Sequence, residues 1–236
     1  MLVEGRALRR VELGTGKPAV VLEAGRNTMA ASWQPVMSLL APHTHVVAYD
    51  RAGLGGSAPA ADPVTIDRQV DDLASIVTGL AAGPCVLAGH SWGGTLVQLL
   101  AFRRPDLVAG LVLVDPAHEQ MGAALPRPVR WGMRLVRDVR RDELRGADRT
   151  AGAAVLRELR GAPEPFPDVP VVVLSAGRGF PPRFRAQWTA LQAGLAAAAR
   201  QGRHVVVEDT GHNIPMDQPG TVADAILQVV AQARAA

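Results

Sequence analysis

The chain has 236 residues, of which 48% are hydrophobic and 20% charged, as expected of one folded domain with a sizeable core. No apolar stretch approaches the roughly 18 residues of a membrane span, and the N-terminus lacks the apolar segment of a secretory signal, so we expect a cytoplasmic protein. The net charge is only +3 and aromatic residues make up 4% of the chain, so nucleic-acid binding, which combines basic and aromatic side chains, is not expected.

Short apolar segments alternate with helical patterns along most of the chain. Short apolar runs bounded by turn residues predict strands at 6–13, 19–23, 45–49, 85–88, 108–114, 171–174 and 204–207. Apolar residues spaced three or four apart predict helices at 32–40, 65–80, 92–100, 182–199 and 221–235. Apolar strands that alternate with helices indicate an α/β fold, a mostly parallel, doubly wound sheet covered by helices on both faces.

Residues 116–167 interrupt this alternation. They contain many Arg and Pro residues and no strand pattern, and helices are indicated at about 129–145 and 150–160. We predict that this stretch is a small helical cap inserted after the sixth strand. The core domain would then consist of residues 1–115 and 168–236.

The most informative motif is Gly-His-Ser-Trp-Gly at residues 89–93, between an apolar strand and a helical pattern. This context is that of a nucleophile elbow, in which a sharp turn presents Ser91 above the sheet edge. Gly89 and Gly93 remove the Cβ atoms that would clash where helix and strand pack closely. The backbone N–H of Trp92, at the start of a helix, would point to the position of an oxyanion.

Five segments of the chain together resemble the α/β-hydrolase fold superfamily, in particular its small bacterial esterase-like members. They are residues 20–25, 49–57, 89–94, 111–116 and 211–212. The resemblance covers almost the whole chain and identifies the superfamily but no substrate. It implies an eight-stranded sheet, although so little chain precedes residue 19 that the first strand would be missing or stubby.

A serine hydroxyl needs a general base within hydrogen-bond reach, and His212 is the candidate. It follows the last predicted strand, so in a parallel sheet its loop lies at the same edge as Ser91. The base in turn needs a carboxylate, which in the superfamily commonly follows the seventh strand, but residues 175–180 contain no Asp or Glu. Asp115 ends the sixth strand at this edge, where some superfamily members place the acid, and Glu119 is the alternative.

An oxyanion hole requires two N–H donors. We predict the backbone N–H groups of Trp92 and of Arg26, which follows the buried strand at 19–23. The superfamily usually has His-Gly before this point, and here Ala24 replaces the histidine. The donor is a backbone group, so the change need not remove it, and Gly25 would allow the close approach of a substrate. His118, at the start of the cap, could also contact substrate.

These residues predict a serine hydrolase of the carboxylesterase class, which cleaves a small-molecule ester, lactone or thioester through an acyl-enzyme. Cofactor-free perhydrolysis, acyl transfer, and amide or C–C hydrolysis use the same catalytic triad and stay open, as does a non-catalytic binding protein of this fold. Ser91 argues against C–halogen or epoxide hydrolysis, for which this position would be Asp. No cluster has metal-ligand spacing, so neither a metal nor a cofactor is expected.

Overall fold

In a computed structural model of the protein, the apolar segments form one central sheet. The structure describes residues 1–3, 5–60, 64–118, 120, 157, 161–162 and 165–236. The strands are β1 (Leu2–Val3), β2 (Arg6–Ala7), β3 (Arg10–Leu13), β4 (Val20–Glu23), β5 (Val46–Tyr49), β6 (Cys85–His90), β7 (Val108–Val114), β8 (Pro170–Ala176) and β9 (Gln201–Val207). The α-helices are α1 (Gln34–Leu40), α2 (Ile66–Gly79), α3 (Trp92–Arg103), α4 (Pro182–Ala197), α5 (Ile214–Asp217) and α6 (Pro219–Ala235), and 3₁₀ turns lie at Ala30–Trp33 and Pro105–Leu107.

The central sheet has the strand order β3-β5-β4-β6-β7-β8-β9. All its strands except β3 run parallel, and β3 pairs antiparallel with β5 at one edge. The carboxyl ends of the six parallel strands therefore lie at the same edge of the sheet, where ligands of open α/β folds bind. The predicted α/β class and mostly parallel sheet are confirmed.

Alternate side chains of each strand face opposite layers of helices. In β6, Leu87 lies in the apolar cluster covered by α2, α3 and α4, whereas Val86 and Ala88 lie in the cluster covered by α1 and α6. The buried strands therefore read as continuous apolar runs, as parallel strands do. Thr65 caps α2, because its hydroxyl oxygen accepts a hydrogen bond from the N–H of Arg68 at 3.2 Å.

The N-terminal segment differs from the sequence-based expectation. The strand predicted over 6–13 is two short strands, of which β2 pairs only with β1, and the described residues contribute seven strands to the central sheet rather than eight. Gly5, with φ of +76°, turns the chain back so that β1 and β2 form a separate hairpin. The seven strands that the described residues contribute agree with the prediction that the first strand of the eight would be missing or stubby.

Apart from residue 157, the helices predicted at 129–145 and 150–160 lie outside the described residues, so the cap over 116–167 stays a prediction. Within the part of the chain that the structure describes, no helix combines the length and the apolar character needed to cross a bilayer.

Candidate active site

Ser91 occupies the sharp turn between β6 and α3. Its φ of +53° and ψ of −113° place it in a backbone conformation that is strained for a residue with a side chain. The neighbouring glycines make this turn possible: a Cβ on Gly89 would lie 2.5 Å from the carbonyl oxygen of Gly93, and one on Gly93 would lie 2.2 Å from that of Glu23. The predicted close packing of strand and helix around the serine is confirmed.

Backbone hydrogen bonds join the elbow to the end of β7. The N–H of Ser91 donates to the carbonyl oxygen of Val114 at 3.0 Å, and the carbonyl oxygen of Ser91 accepts from the N–H of Ala117 at 3.0 Å. These two bonds flank Asp115 and Pro116. The loop that carries Asp115 is therefore held directly against the turn that carries Ser91.

Asp115 and His212, which are 97 residues apart in sequence, are in direct contact. The Nδ1 atom of His212 lies 2.5 Å from Oδ2 of Asp115, whose side chain is fully buried while half of the His212 side chain is exposed. The carboxylate can only accept here, so Nδ1 carries the proton and Nε2 is left as the basic nitrogen. This is the arrangement in which a carboxylate orients a histidine for general-base catalysis.

The second oxygen of Asp115 is held by two further donors. Oδ1 accepts from the backbone N–H of Ala176 at 3.1 Å and from the indole N–H of Trp188 at 2.7 Å. Trp188 is buried on α4, and its contact with Asp115 was not predicted from the sequence. The sequence gives only a general indication of this contact, because a buried indole N–H usually has a hydrogen-bond acceptor. Three donors therefore surround this carboxylate and fix its plane.

His90 supports His212 from beside the elbow. Its Nε2 atom lies 2.8 Å from the carbonyl oxygen of His212, and the two ring centroids are 4.8 Å apart. A carbonyl only accepts, so Nε2 of His90 is the protonated nitrogen of a neutral ring. Burial, with the adjacent His212 as a second cause, lowers the pKa of His90 to about 4. His90 therefore stays neutral wherever His212 could act as a base.

The lowered pKa of His90 predicts a loss of stability in acid. The unfolded chain binds this proton near pH 6.5 and the folded chain only near pH 4. Between these values the unfolded state carries more protons, so the free energy of unfolding should fall by roughly 3 kcal/mol as the pH drops from 6.5 to 4.

Urea unfolding across this pH range would measure the effect, with His90→Gln as the control because glutamine can donate to the same carbonyl but does not titrate. The variant should lose about 3 kcal/mol less than wild type over this range. Equal losses in both proteins would contradict the assignment. His204, whose pKa burial also lowers, contributes equally to both.

The residues predicted for the oxyanion hole are brought together at the start of α3. The guanidinium carbon of Arg26 lies 5.5 Å from the centroid of the Trp92 ring, and the indole N–H of Trp92 donates to Gln69 at 2.8 Å. Gly25 packs against the elbow: a Cβ built on it would lie 3.0 Å from Nδ1 of His90. The loop after β4 and the turn at Ser91 are thus neighbours.

His118 lies in the wall of a cavity of about 480 Å³ between α4 and the segment after β7. Its side chain is buried and its Nδ1 atom accepts from the N–H of Gln120 at 3.2 Å. Leu191 and Leu195 line the same cavity, so its wall is partly apolar. The alternative acid, Glu119, lies outside the described residues.

Comparison with known proteins gives a consistent set of similarities. Residues 20–225 match the model of a family described as the alpha/beta hydrolase family. The uncharacterized protein YqjL of Bacillus subtilis is 28% identical over 219 residues, which are 92% of this chain and 85% of that protein. A putative carbamate hydrolase, RutD of Pantoea ananatis, is 36% identical over 99 residues, 41% of this chain and 35% of that protein. A solved thermophilic esterase of Thermogutta terrifontis has a TM-score of 0.69 at 23% identity, covering 97% of this chain and 94% of that one.

Proposed function

Because the chain belongs to the alpha/beta hydrolase family, we propose that it is a serine hydrolase that cleaves a carboxylic ester of a small molecule. The observation that carries the proposal is the 2.5 Å contact between His212 and the fully buried Asp115, at the sheet edge where the elbow presents Ser91. In this proposal Ser91 is the nucleophile, His212 the general base and Asp115 the acid that orients it.

The proposed reaction has two halves. Nε2 of His212 takes the proton of the Ser91 hydroxyl while the serine oxygen attacks the ester carbonyl carbon. The C–O bond to the alcohol then breaks in the tetrahedral intermediate, and the departing alcohol receives that proton from His212. Water then attacks the acyl-enzyme by the same route, giving the free acid and the regenerated hydroxyl. Asp115 stays ionised throughout and stabilises the imidazolium of His212.

The negative charge of the tetrahedral intermediate would be held by the backbone N–H groups of Trp92 and Arg26. Two features support this assignment: Trp92 is the first residue of α3, and the Arg26 side chain lies over the Trp92 ring. A helix N-terminus favours negative charge. Loss of one such donor raises the barrier by roughly 3 kcal/mol.

Hydrolysis of a carbamate or amide is the second candidate, and the partial similarity to the putative carbamate hydrolase of Pantoea ananatis favours it. The same nucleophile, base and acid would act: an amide would lose an amine, which must be protonated as it departs, whereas a carbamate ester would lose its alcohol and leave a carbamoyl-enzyme. Lactones and thioesters are variants of the first candidate, because they too are acyl compounds attacked at a carbonyl carbon. The lining of the cavity beside His118 includes neither Ser91 nor His212, so a substrate-binding role of His118 stays a prediction.

A p-nitrophenyl ester series with acyl chains of increasing length tests the proposal against its alternative. We expect release of p-nitrophenolate above the buffer rate with at least one ester, and a burst equal to the enzyme concentration where hydrolysis of the acyl-enzyme is slower than its formation. The matched substrates are p-nitrophenyl carbamates and acyl p-nitroanilides of the same chain length. Turnover of these with none of the esters would support the second candidate, and hydrolysis of neither group above buffer would contradict both.

A further inference from the structure

A buried charged cluster lies at the carboxyl ends of β4 and β5, next to the loop that carries Arg26. It consists of Glu23, Tyr49 and Arg51, which we call the Glu23 cluster. One carboxylate oxygen of Glu23 accepts from the Arg51 guanidinium at 2.5 Å and the other accepts from the Tyr49 hydroxyl. The side chains of Glu23 and Arg51 are 0% and 3% exposed. A buried ion pair of this kind is no more stabilising than well-packed apolar residues, so stability alone does not account for it.

The Arg51 guanidinium also binds the backbone of the loop after β4. It donates through Nη1 to the carbonyl oxygen of Ala24 at 2.6 Å and through Nη2 to that of Gly25. Thr28 completes the set of donors: its hydroxyl lies 2.8 Å and its N–H 3.3 Å from the same Gly25 oxygen. Two consecutive carbonyl groups are therefore fixed in direction by a side chain that Glu23 holds in place.

Fixing a carbonyl also fixes the amide that follows it. The peptide bonds on both sides of Gly25 are trans, so each N–H points opposite to the carbonyl of the same peptide unit. Holding the Gly25 oxygen on the guanidinium therefore turns the N–H of Arg26 away from Arg51. Gly25 packs on His90 and the Arg26 side chain lies over Trp92, so the peptide between Gly25 and Arg26 lies beside the elbow.

We propose that Arg51, held by Glu23, is a positioning residue that orients the Gly25–Arg26 peptide so that its N–H can stabilise the oxyanion; this inference rests on the proposed function. Arginine suits the role because its planar guanidinium presents several donors in fixed directions, one for the carboxylate and two for the carbonyls. The ammonium of a lysine cannot match these directions together. An oxyanion donor helps only if it is already aimed before the charge forms.

Two variants and a matched control test the proposal. Arg51→Lys keeps the positive charge but loses the planar arrangement of N–H donors. Thr28→Val removes one donor to the Gly25 oxygen and leaves both residues of the ion pair unchanged. Arg6→Lys is the control, because Arg6 forms a largely buried pair with Asp72, through contacts of 2.6 and 3.1 Å that join β2 to α2. The measurements are kcat and KM on the best p-nitrophenyl ester and the affinity for phenylboronic acid. The boron of its serine adduct is tetrahedral and carries an oxygen in the oxyanion position.

We expect Arg51→Lys to lower kcat and boronate affinity together by about 10- to 100-fold, with KM within about twofold of wild type. Complete loss of one oxyanion donor lowers kcat by about 10²- to 10³-fold, and a donor that points in the wrong direction should cost part of that factor. Thr28→Val should shift both in the same direction by severalfold, and it carries the test alone if Arg51→Lys does not fold. Arg6→Lys should lose stability but keep kcat.

Wild-type kcat and boronate affinity in Thr28→Val and in any folded Arg51→Lys protein would overturn the positioning role. An equal loss of kcat in Arg6→Lys would also overturn it, because the loss would then come from destabilisation. These outcomes differ from failure of the proposed function, in which the wild-type protein itself hydrolyses no ester and binds no boronate, and which removes the basis of the inference as well.

Discussion

Replacing Asp115 by asparagine is expected to lower kcat/KM for an ester by about 10⁴-fold while leaving the protein folded. The amide oxygen can still accept from Trp188 and Ala176, but the amide nitrogen would then donate to Nδ1 of His212. The proton of the imidazole would move to Nε2, where it prevents His212 from accepting the proton of Ser91. Asparagine also tolerates the φ of +43° at this position, so the backbone should not change.

Steady-state kinetics of Asp115→Asn and Glu119→Gln on the same ester would decide which carboxylate is the acid. If Asp115 is the acid, Glu119→Gln should keep wild-type kcat/KM. Full activity in Asp115→Asn, or a loss confined to Glu119→Gln, would transfer the role to the alternative residue. Circular dichroism of both variants checks that the comparison is between folded proteins.

A single methyl group on Gly93 should both destabilise the fold and inactivate the site. The new Cβ would lie 2.2 Å from the carbonyl oxygen of Glu23 and 2.7 Å from that of Ala24, and neither main-chain atom can move cheaply. Over-packing of this kind costs about 3 kcal/mol, which for a chain of this size lowers Tm by roughly 6–12 °C. Relief of the clash must displace the elbow or the loop after β4. Protein that remains folded should therefore still lose activity.

Gly220→Ala is the control for this substitution, because Gly220 lies exposed in the first turn of α6 with no atom within 4 Å of a built Cβ. Alanine is the better helix former, so Tm should stay the same or rise slightly. Differential scanning calorimetry of the two variants measures the difference. A Tm for Gly93→Ala within about 1 °C of wild type would show that the elbow is not packed as described.

The sequence was most informative where one local rule decides the structure. A short apolar run that is rich in β-branched residues, such as 108–114, is typical of a strand buried on both faces, and the structure has β7 at the same bounds. The packing role of the elbow glycines was predictable, because strand and helix must approach closely at Ser91. The N-terminal strands were not, because β1 and β2 are two residues each, too short for a burial period to appear.

Contacts between distant side chains account for most of what the sequence did not reveal. Trp188 reads as an ordinary apolar position of a helix, and only the fold shows that its N–H meets Asp115, 73 residues away in sequence. Arg51 likewise meets Glu23 because β4 and β5 are adjacent in the sheet, which no local pattern specifies. Asp115 was predicted in a different way, from its place at the end of an apolar strand. Residues 175–180, where the superfamily commonly has the acid, contain no carboxylate.

Covalent labelling would show whether Ser91 is a nucleophile activated by its neighbours. Wild-type protein and Ser91→Ala would be incubated with a fluorophosphonate, which reacts with activated serines, and their intact masses measured before peptide mapping. We expect one adduct per wild-type chain, located on Ser91, and none on the variant. No adduct on folded wild-type protein, or an equal adduct on Ser91→Ala, would contradict it.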